Sequence, residues 1–342
     1  MIERLLQQGA LRLKEHFYDL FLCLENKKLL VSGGSGFVGS MFIAVVLCNV
    51  KNIKIYCTTR NKARALARFK TLGIASDALN IIEDLQECYE EIDYILCAAS
   101  PTQSQYFVDY PIQTIDEIYQ HTKDLLEFAK DHNVQKFVFL STMEVYGEVN
   151  KAIVGEEDLG WLDVFNPRNS YPAIKRLCEH LIIAYAKEYS LKSCILRLTQ
   201  VIGAGVSRED KRVYMMFLRE SLEEGKITLL TQGETKRDYL DVFDSVSGIL
   251  LGLLDKEDIA CYNLANPKTF MSVLELARVI AEEVTRRGIE VRIQYYKGDT
   301  SAFLPSFERS LKISKIQSLG WSPLFSLQES VNAMIESIIE KE

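Results

Sequence analysis

The chain has 342 residues, 48% of them hydrophobic and 25% charged, a mixture that fits one large α/β domain or two smaller units sharing a cleft. Its net charge of −7 excludes a general nucleic-acid or membrane-surface binder, because phosphate-rich partners attract basic protein. Eight scattered cysteines without a CxxC pair read as buried thiols of a reducing cytoplasm, and four histidines without ligand-like spacing predict no metal site.

Residues 1–27 mix both charges with Leu and aromatic residues at helical spacing. They predict an amphipathic helical extension that packs on its own domain or on a second subunit. A signal-peptide cleavage pattern is missing and no run approaches the ~20 apolar residues of a membrane span, so a cytoplasmic protein without membrane insertion is expected.

From Lys28 onward strands and helices alternate. "KKLLVSGG" is a strand running into glycines, "FVGSMFIAVVLCNV" an apolar helix, "NIKIYCTT" a strand and "NKARALARFKTLG" a basic helix. "IDYILCAAS", the long amphipathic "TIDEIYQHTKDLLEFAKDH" and "QKFVFLST" continue the pattern as far as "KSCILRLTQVIG" at 192–203. Such alternation implies an α/β fold, a Rossmann-type doubly wound parallel sheet covered on both faces, with ligands beyond the C-terminal strand ends. We expect this dinucleotide-binding domain over 28–204. Residues 205–342 are expected to form mainly a smaller C-terminal α/β substrate-binding lid, with segments returning to the Rossmann core.

Between the first strand and helix, "VSGGSGFVGS" spaces Gly33, Gly36 and Gly39 so that the backbone can approach a pyrophosphate at a helix N-terminus. Ser35, Phe37 and Val38 complete this candidate dinucleotide turn, and Ala98, Ala99 and Ser100 follow the facing strand. The second strand ends in "YCTTRNK", with no carboxylate for a ribose diol and with Arg60 within reach, so NAD versus NADP stays open. Tyr171 and Lys175 lie four residues apart, on one face of a helix start. A nearby ammonium is expected to lower the phenol pKa and make Tyr171 a general base, with Lys175 and Tyr171 also facing the cofactor. Thr142 ends the "KFVFLST" strand, where it can hydrogen-bond a reacting hydroxyl.

The glycine spacing resembles the TGxxGxxG fingerprint of short-chain dehydrogenase/reductases, with Ser32 in place of Thr. Together with "STMEVYG", "YPAIK", "KRDYLDVFD", "YNLAN" and "LGWSP", the chain from Lys28 on resembles the extended members that modify nucleotide sugars, the epimerase/dehydratase family. The resemblance implies an enzyme in which Tyr171 takes a proton from a sugar hydroxyl, usually at C4, while hydride passes to the nicotinamide. It also implies a nucleotide-diphosphate sugar substrate contacted by Arg212, Arg237, Arg309 and Gln200, and a homodimer built from two long helices per subunit. Gln200 stands where the family has Asn, and "EIYQHT" (117–122) departs from its T-N-x-x-G-T pattern.

Met143 is the most informative departure. Dehydratases of the family carry T-D-E at this loop, and UDP-glucuronate decarboxylases T-S-E. Methionine donates no proton, while Glu144 remains as a possible base. Epimerase or 4-ketoreductase chemistry is therefore expected ahead of decarboxylation or 4,6-dehydration. A non-catalytic NAD(P)-binding scaffold or sensor has no need of the Thr142, Tyr171 and Lys175 set.

Overall fold

The computed structural model describes residues 2–296 and 306–339. The N-terminal extension forms α1 (Ile2–His16) and α2 (Tyr18–Cys23). The alternating part follows as β1 (Lys28–Ser32), α3 (Phe37–Asn49), β2 (Lys54–Thr58), α4 (Lys62–Thr71), β3 (Leu79–Ile82), β4 (Tyr94–Cys97), α5 (Ser104–Asp109), α6 (Pro111–Asp131), β5 (Lys136–Thr142), β6 (Ile153–Val154), α7 (Ser170–Tyr189) and β7 (Ser193–Leu198). Next come β8 (Gln200–Ile202), α8 (Val213–Glu224), β9 (Lys226–Leu229), β10 (Lys236–Arg237), β11 (Tyr239–Asp241), α9 (Val242–Leu254) and β12 (Ile259–Leu264). The chain closes with β13 (Met271–Ser272), α10 (Val273–Thr285), β14 (Arg292–Tyr295), β15 (Glu308–Leu311), α11 (Ser314–Gln317) and α12 (Leu327–Ile339).

Seven strands pair in parallel in the order β3-β2-β1-β4-β5-β7-β12. Chain direction across the sheet reverses between β1 and β4, which opens a crevice beyond their C-terminal ends. The apolar runs of β4 and β7 are buried throughout, as expected where helices cover both faces. β3 was not marked by the sequence pattern. It is a four-residue edge strand in which only Ile82 is fully buried, so no strong periodicity is imposed on it.

Helix α3 has no polar face because it is enclosed: every residue from Gly39 to Val46 is buried. α1 and α9 pack against it, so the N-terminal extension packs on its own chain. Leu6, Gly9, Ala10 and Leu13 form the buried stripe of α1, and each large apolar side chain so buried contributes about 1.5–3 kcal/mol. A Cβ at Gly9 would lie 2.3 Å from the Phe243 ring, which is the reason α1 can approach α9 so closely. Arg12 then donates to Glu329 at 2.8 Å and lies over the Phe325 ring, joining the extension to the start of α12.

A second core, with Leu218, Leu229, Leu276, Ile280, Met334 and Ile335, holds α8, α10 and α12 together. α6 and α7 pack on each other beside the main sheet, with Leu125, Cys178 and Ile182 buried between them and the strands. No helix among the described residues is long and apolar enough to cross a membrane. All eight cysteines are free, and among the described residues no group of three or more His, Cys, Asp or Glu side chains could hold a metal ion.

Candidate active site

At the switch point β1 runs into Gly33, whose φ of +68° is left-handed. A Cβ there would meet the Ala99 backbone nitrogen at 2.6 Å, so only glycine lets the tails of β1 and β4 touch. The Gly36 N–H donates to the Gly33 carbonyl at 2.9 Å and closes the turn, and Gly36 caps α3. The Ser32 hydroxyl accepts from the Ala98 N–H at 3.2 Å and the Ala99 N–H at 3.4 Å. Ser35 lies in the turn ahead of this cap, and Phe37 and Val38 begin the helix, whose first N–H groups have no intrahelical partner. The residues present fit a dinucleotide pyrophosphate. Gly39→Ala would place a Cβ 2.4 Å from the Gly33 carbonyl oxygen. Overpacking of this kind costs about 1–3 kcal/mol, so NAD affinity measured by calorimetry should fall about tenfold or more while secondary structure by circular dichroism is kept.

Tyr171 enters at the start of α7 and is only 7% exposed. Its ring stacks on Phe107 of α5 with centroids 4.2 Å apart and planes 3° from parallel. Burial pushes the phenol well above its ordinary pKa, and the Glu144 carboxylate adds to this; the nearby Thr142 and Ser100 hydroxyls and the Arg168 charge oppose it. Lys175 lies on the same helix face, as the spacing predicts. Its ammonium, however, donates to the Leu140 carbonyl at 2.8 Å and stands 6.0 Å from the Tyr171 ring centroid. Burial lowers the Lys175 pKa. In this structure burial dominates at the phenol, and the Lys175 ammonium bonds the Leu140 carbonyl rather than the phenol.

Thr142 ends β5 and accepts from the Glu144 N–H at 3.2 Å, capping the turn Met143–Tyr146. Met143 is buried, and its sulfur lies 3.3 Å from the Thr199 hydroxyl, whose proton goes to the Asp238 carbonyl at 2.6 Å. Glu144 is not free: its Oε2 receives Arg168 Nη1 at 2.6 Å. Arg309 donates to the Met143 carbonyl at 3.1 Å and to the Gly147 carbonyl, so it also holds this turn in place.

Arg237 and Arg309 are register partners on β10 and β15. Both guanidinium groups lie over the Phe307 ring, at 5.2 and 5.1 Å, and both Nε atoms are buried with no hydrogen-bond partner among the described residues. Like charges side by side are unfavourable by themselves, which makes the pair a fit for an anion. Arg212 is instead held by Asp210, with contacts of 2.9 and 2.6 Å, and lies over the Phe37 ring at 5.4 Å. Gln200 begins β8 beside Tyr239 of β11. Arg60 is 87% exposed at its side chain and pairs with Glu117 at 2.9 Å, and Glu117 also accepts from the Tyr106 hydroxyl. Sequence reasoning passed over Arg168, Phe107 and Thr199, because only the folded loops bring them to Tyr171 and Met143.

A seven-stranded parallel sheet whose glycine turn faces a Tyr-x-x-x-Lys helix is the architecture of an extended short-chain dehydrogenase/reductase. The chain belongs to the NAD dependent epimerase/dehydratase family, whose model matches residues 29–265, and it is accordingly an NAD-dependent enzyme. UDP-glucuronic acid decarboxylase 1 of Xenopus tropicalis is 26% identical over 313 residues, covering 91% of this chain and 72% of that protein. UDP-glucuronic acid decarboxylase 5 of Arabidopsis thaliana is 27% identical over 318 residues, covering 92% and 90%. In fold, the chain is similar to UDP-glucuronic acid 4-epimerase from Bacillus cereus, solved with UDP-glucuronic acid and NAD, at a TM-score of 0.77 and 23% identity over 92% of this chain and 100% of that one.

Proposed function

We propose that the chain is an NAD-dependent C4 epimerase of a UDP-sugar, with UDP-glucuronate the first substrate to offer. The observation that carries this reading is Met143. It is buried against Thr199, and it presents neither acid nor hydroxyl between Thr142 and Glu144. What surrounds the Tyr171 phenol is suited to moving one proton, with the Thr142 and Ser100 hydroxyls beside it. Bound NAD supplies the acceptor for the C4 hydride and a positive charge near the phenol. Tyr171, as phenolate, takes the O4 proton as the C4–H bond breaks, and returns it after the 4-keto sugar has turned its other face. Lys175, anchored on Leu140, holds its charge beneath this step. Thr142 keeps O4 in line, and Glu144 orders the loop through Arg168.

Arg237 and Arg309 are assigned to the diphosphate, with Arg212 and Gln200 at the nucleotide side. Gly33, Ser35, Gly36, Phe37, Val38, Gly39, Ala98, Ala99 and Ser100 are assigned to the dinucleotide. Arg60 is assigned to the adenosine end, where its pairing with Glu117 supports NAD over NADP. Residues 28–204 hold the cofactor and 205–342 mainly the substrate, with α9 and β12 serving the main sheet and 1–27 bracing it. Exposed Ile112, Ile115, Leu177 and Tyr189 on α6 and α7 support a homodimer through these helices, in the cytoplasm.

Decarboxylation is the second reading, favoured by the similarity to two UDP-glucuronic acid decarboxylases. It shares the 4-keto stage, so product analysis separates the two. The purified protein, incubated with UDP-glucuronate and followed by NMR, should give UDP-galacturonate without CO2 and should release near-stoichiometric NAD on denaturation. A UDP-pentose with CO2 would establish the second reading. No turnover of UDP-glucuronate, UDP-galacturonate or UDP-glucose, and no dinucleotide released, would overturn both.

A further inference from the structure

The reading above makes Tyr171 the base, and the groups facing it do not all favour a phenolate. Ser100 follows β4 and Phe107 lies on α5. Thr142 and Glu144 come from the β5 end and its turn, Arg168 from the segment before α7, and Lys175 from α7 itself. Arg212, ahead of α8, also acts on the phenol through its charge. Of these, Glu144 is the one negative charge, and a phenolate forming beside a free carboxylate would be repelled by it.

Arg168 is placed to cancel that repulsion. Its Nη1 meets Glu144 Oε2 at 2.6 Å, with side-chain exposures of 14% and 34%. Its guanidinium lies over the Phe107 ring at 5.3 Å, the same ring that stacks on Tyr171 at 4.2 Å. The segment is held for this purpose: Asn166 caps the short turn Pro167–Asn169 by accepting from the Arg168 N–H at 3.0 Å, and Asn169 donates to the Asp163 carbonyl at 3.0 Å. A planar guanidinium can both stack on an aromatic ring and bond a carboxylate, which a Lys ammonium does less well. Arg309, which also holds this turn, is committed to the Met143 and Gly147 carbonyls.

We infer that Arg168 is a positioning residue that ties the Glu144 carboxylate away from the phenol and supplies, with Lys175, the positive charge under which the Tyr171 phenolate forms. Its partner is therefore the base itself, and its removal acts through Glu144.

The test uses the full chain loaded with NAD and labelled with [13Cζ]tyrosine, with the Tyr171 resonance identified by its loss in Tyr171→Phe. In Arg168→Gln the Tyr171 titration should move to higher pH by about one unit or more, about tenfold less phenolate at a given lower pH. Glu144→Gln alone should move it to lower pH. Arg168→Gln with Glu144→Gln should return it toward the parent value, and Arg168→Lys should retain about half of the parent effect or more. A merely structural arginine would not give this reciprocal pattern. An Arg168→Gln midpoint equal to the parent's overturns the inference. Where Arg168→Gln does not fold, an unmoved or raised midpoint in Glu144→Gln overturns it instead. Turnover is not read, so a different sugar substrate leaves the result intact, whereas full turnover by Tyr171→Phe would remove the base assignment on which it rests.

Discussion

Replacing Tyr171 with Phe should lower turnover by about 10²–10⁴-fold, the range that a positioned general base contributes, while NAD stays bound. The ring is 7% exposed and parallel to Phe107, so the substitution keeps the stack and removes only the hydroxyl. The Ser100 hydroxyl donates to the Pro101 carbonyl and the Thr142 oxygen accepts from the Glu144 N–H, and neither contact involves the phenol, so no buried donor is stranded. The glycine turn at Gly33 and Gly36 and the Lys175 contact to the Leu140 carbonyl do not involve that oxygen. Loss should therefore fall on kcat, not on cofactor content, and the two are measured separately by product NMR and by dinucleotide released on denaturation. Turnover within threefold of the parent would remove Tyr171 from the mechanism, while loss of NAD with activity would mean that the phenol is needed to seat the cofactor.

The parts of this site that were legible in the sequence are those fixed by local spacing. A spacing of four on a helix put Tyr171 and Lys175 on one face, a strand running into glycines marked the glycine turn after β1, and the strand end gave Thr142. What was not legible depends on distant segments. Arg168 reaches Glu144 from 24 residues away and Arg60 reaches Glu117 from 57, and neither spacing leaves a periodic trace. The packing of α1 on its own chain was not legible for the same reason, because it turns on a missing Cβ at Gly9 facing Phe243. The position of Lys175 was predicted and its bond was not, since Leu140, which accepts it, carries only a backbone carbonyl that every residue has. β3 escaped notice because an edge strand of four residues, mostly half-buried, is under little compositional pressure.

A buried ion pair behind the site gives the second large expectation: Glu179→Ala should destabilise the fold by about 3–5 kcal/mol, read from the urea midpoint. Glu179 of α7 and Arg197 of β7 are 6% and 5% exposed and form a two-pronged contact, at 3.0 Å from Nε and 2.7 Å from Nη2. The Ser141 hydroxyl donates to the same carboxylate at 2.5 Å, and Arg197 Nη1 donates to the Glu156 carbonyl at 2.7 Å and to the Tyr146 hydroxyl at 3.2 Å. Tyr146 in turn donates to Asn263 of β12 at 2.5 Å. Removing the carboxylate strands a guanidinium in the interior, which costs more than the pair itself contributes. Replacing both partners, Glu179→Leu with Arg197→Met, leaves no stranded charge and should lose less than half as much. The comparison also bears on function, because Ser141 adjoins Thr142, and Glu179 lies one turn beyond Lys175 on the helix that carries Tyr171. If the double variant folds well yet turns over slowly, the pair serves to register β5 against α7; if it is as active as the parent, the pair acts on stability alone. A Glu179→Ala protein within 1 kcal/mol of the parent would show that Arg197 finds water or the Tyr146 hydroxyl without penalty, and would remove the pair from both roles.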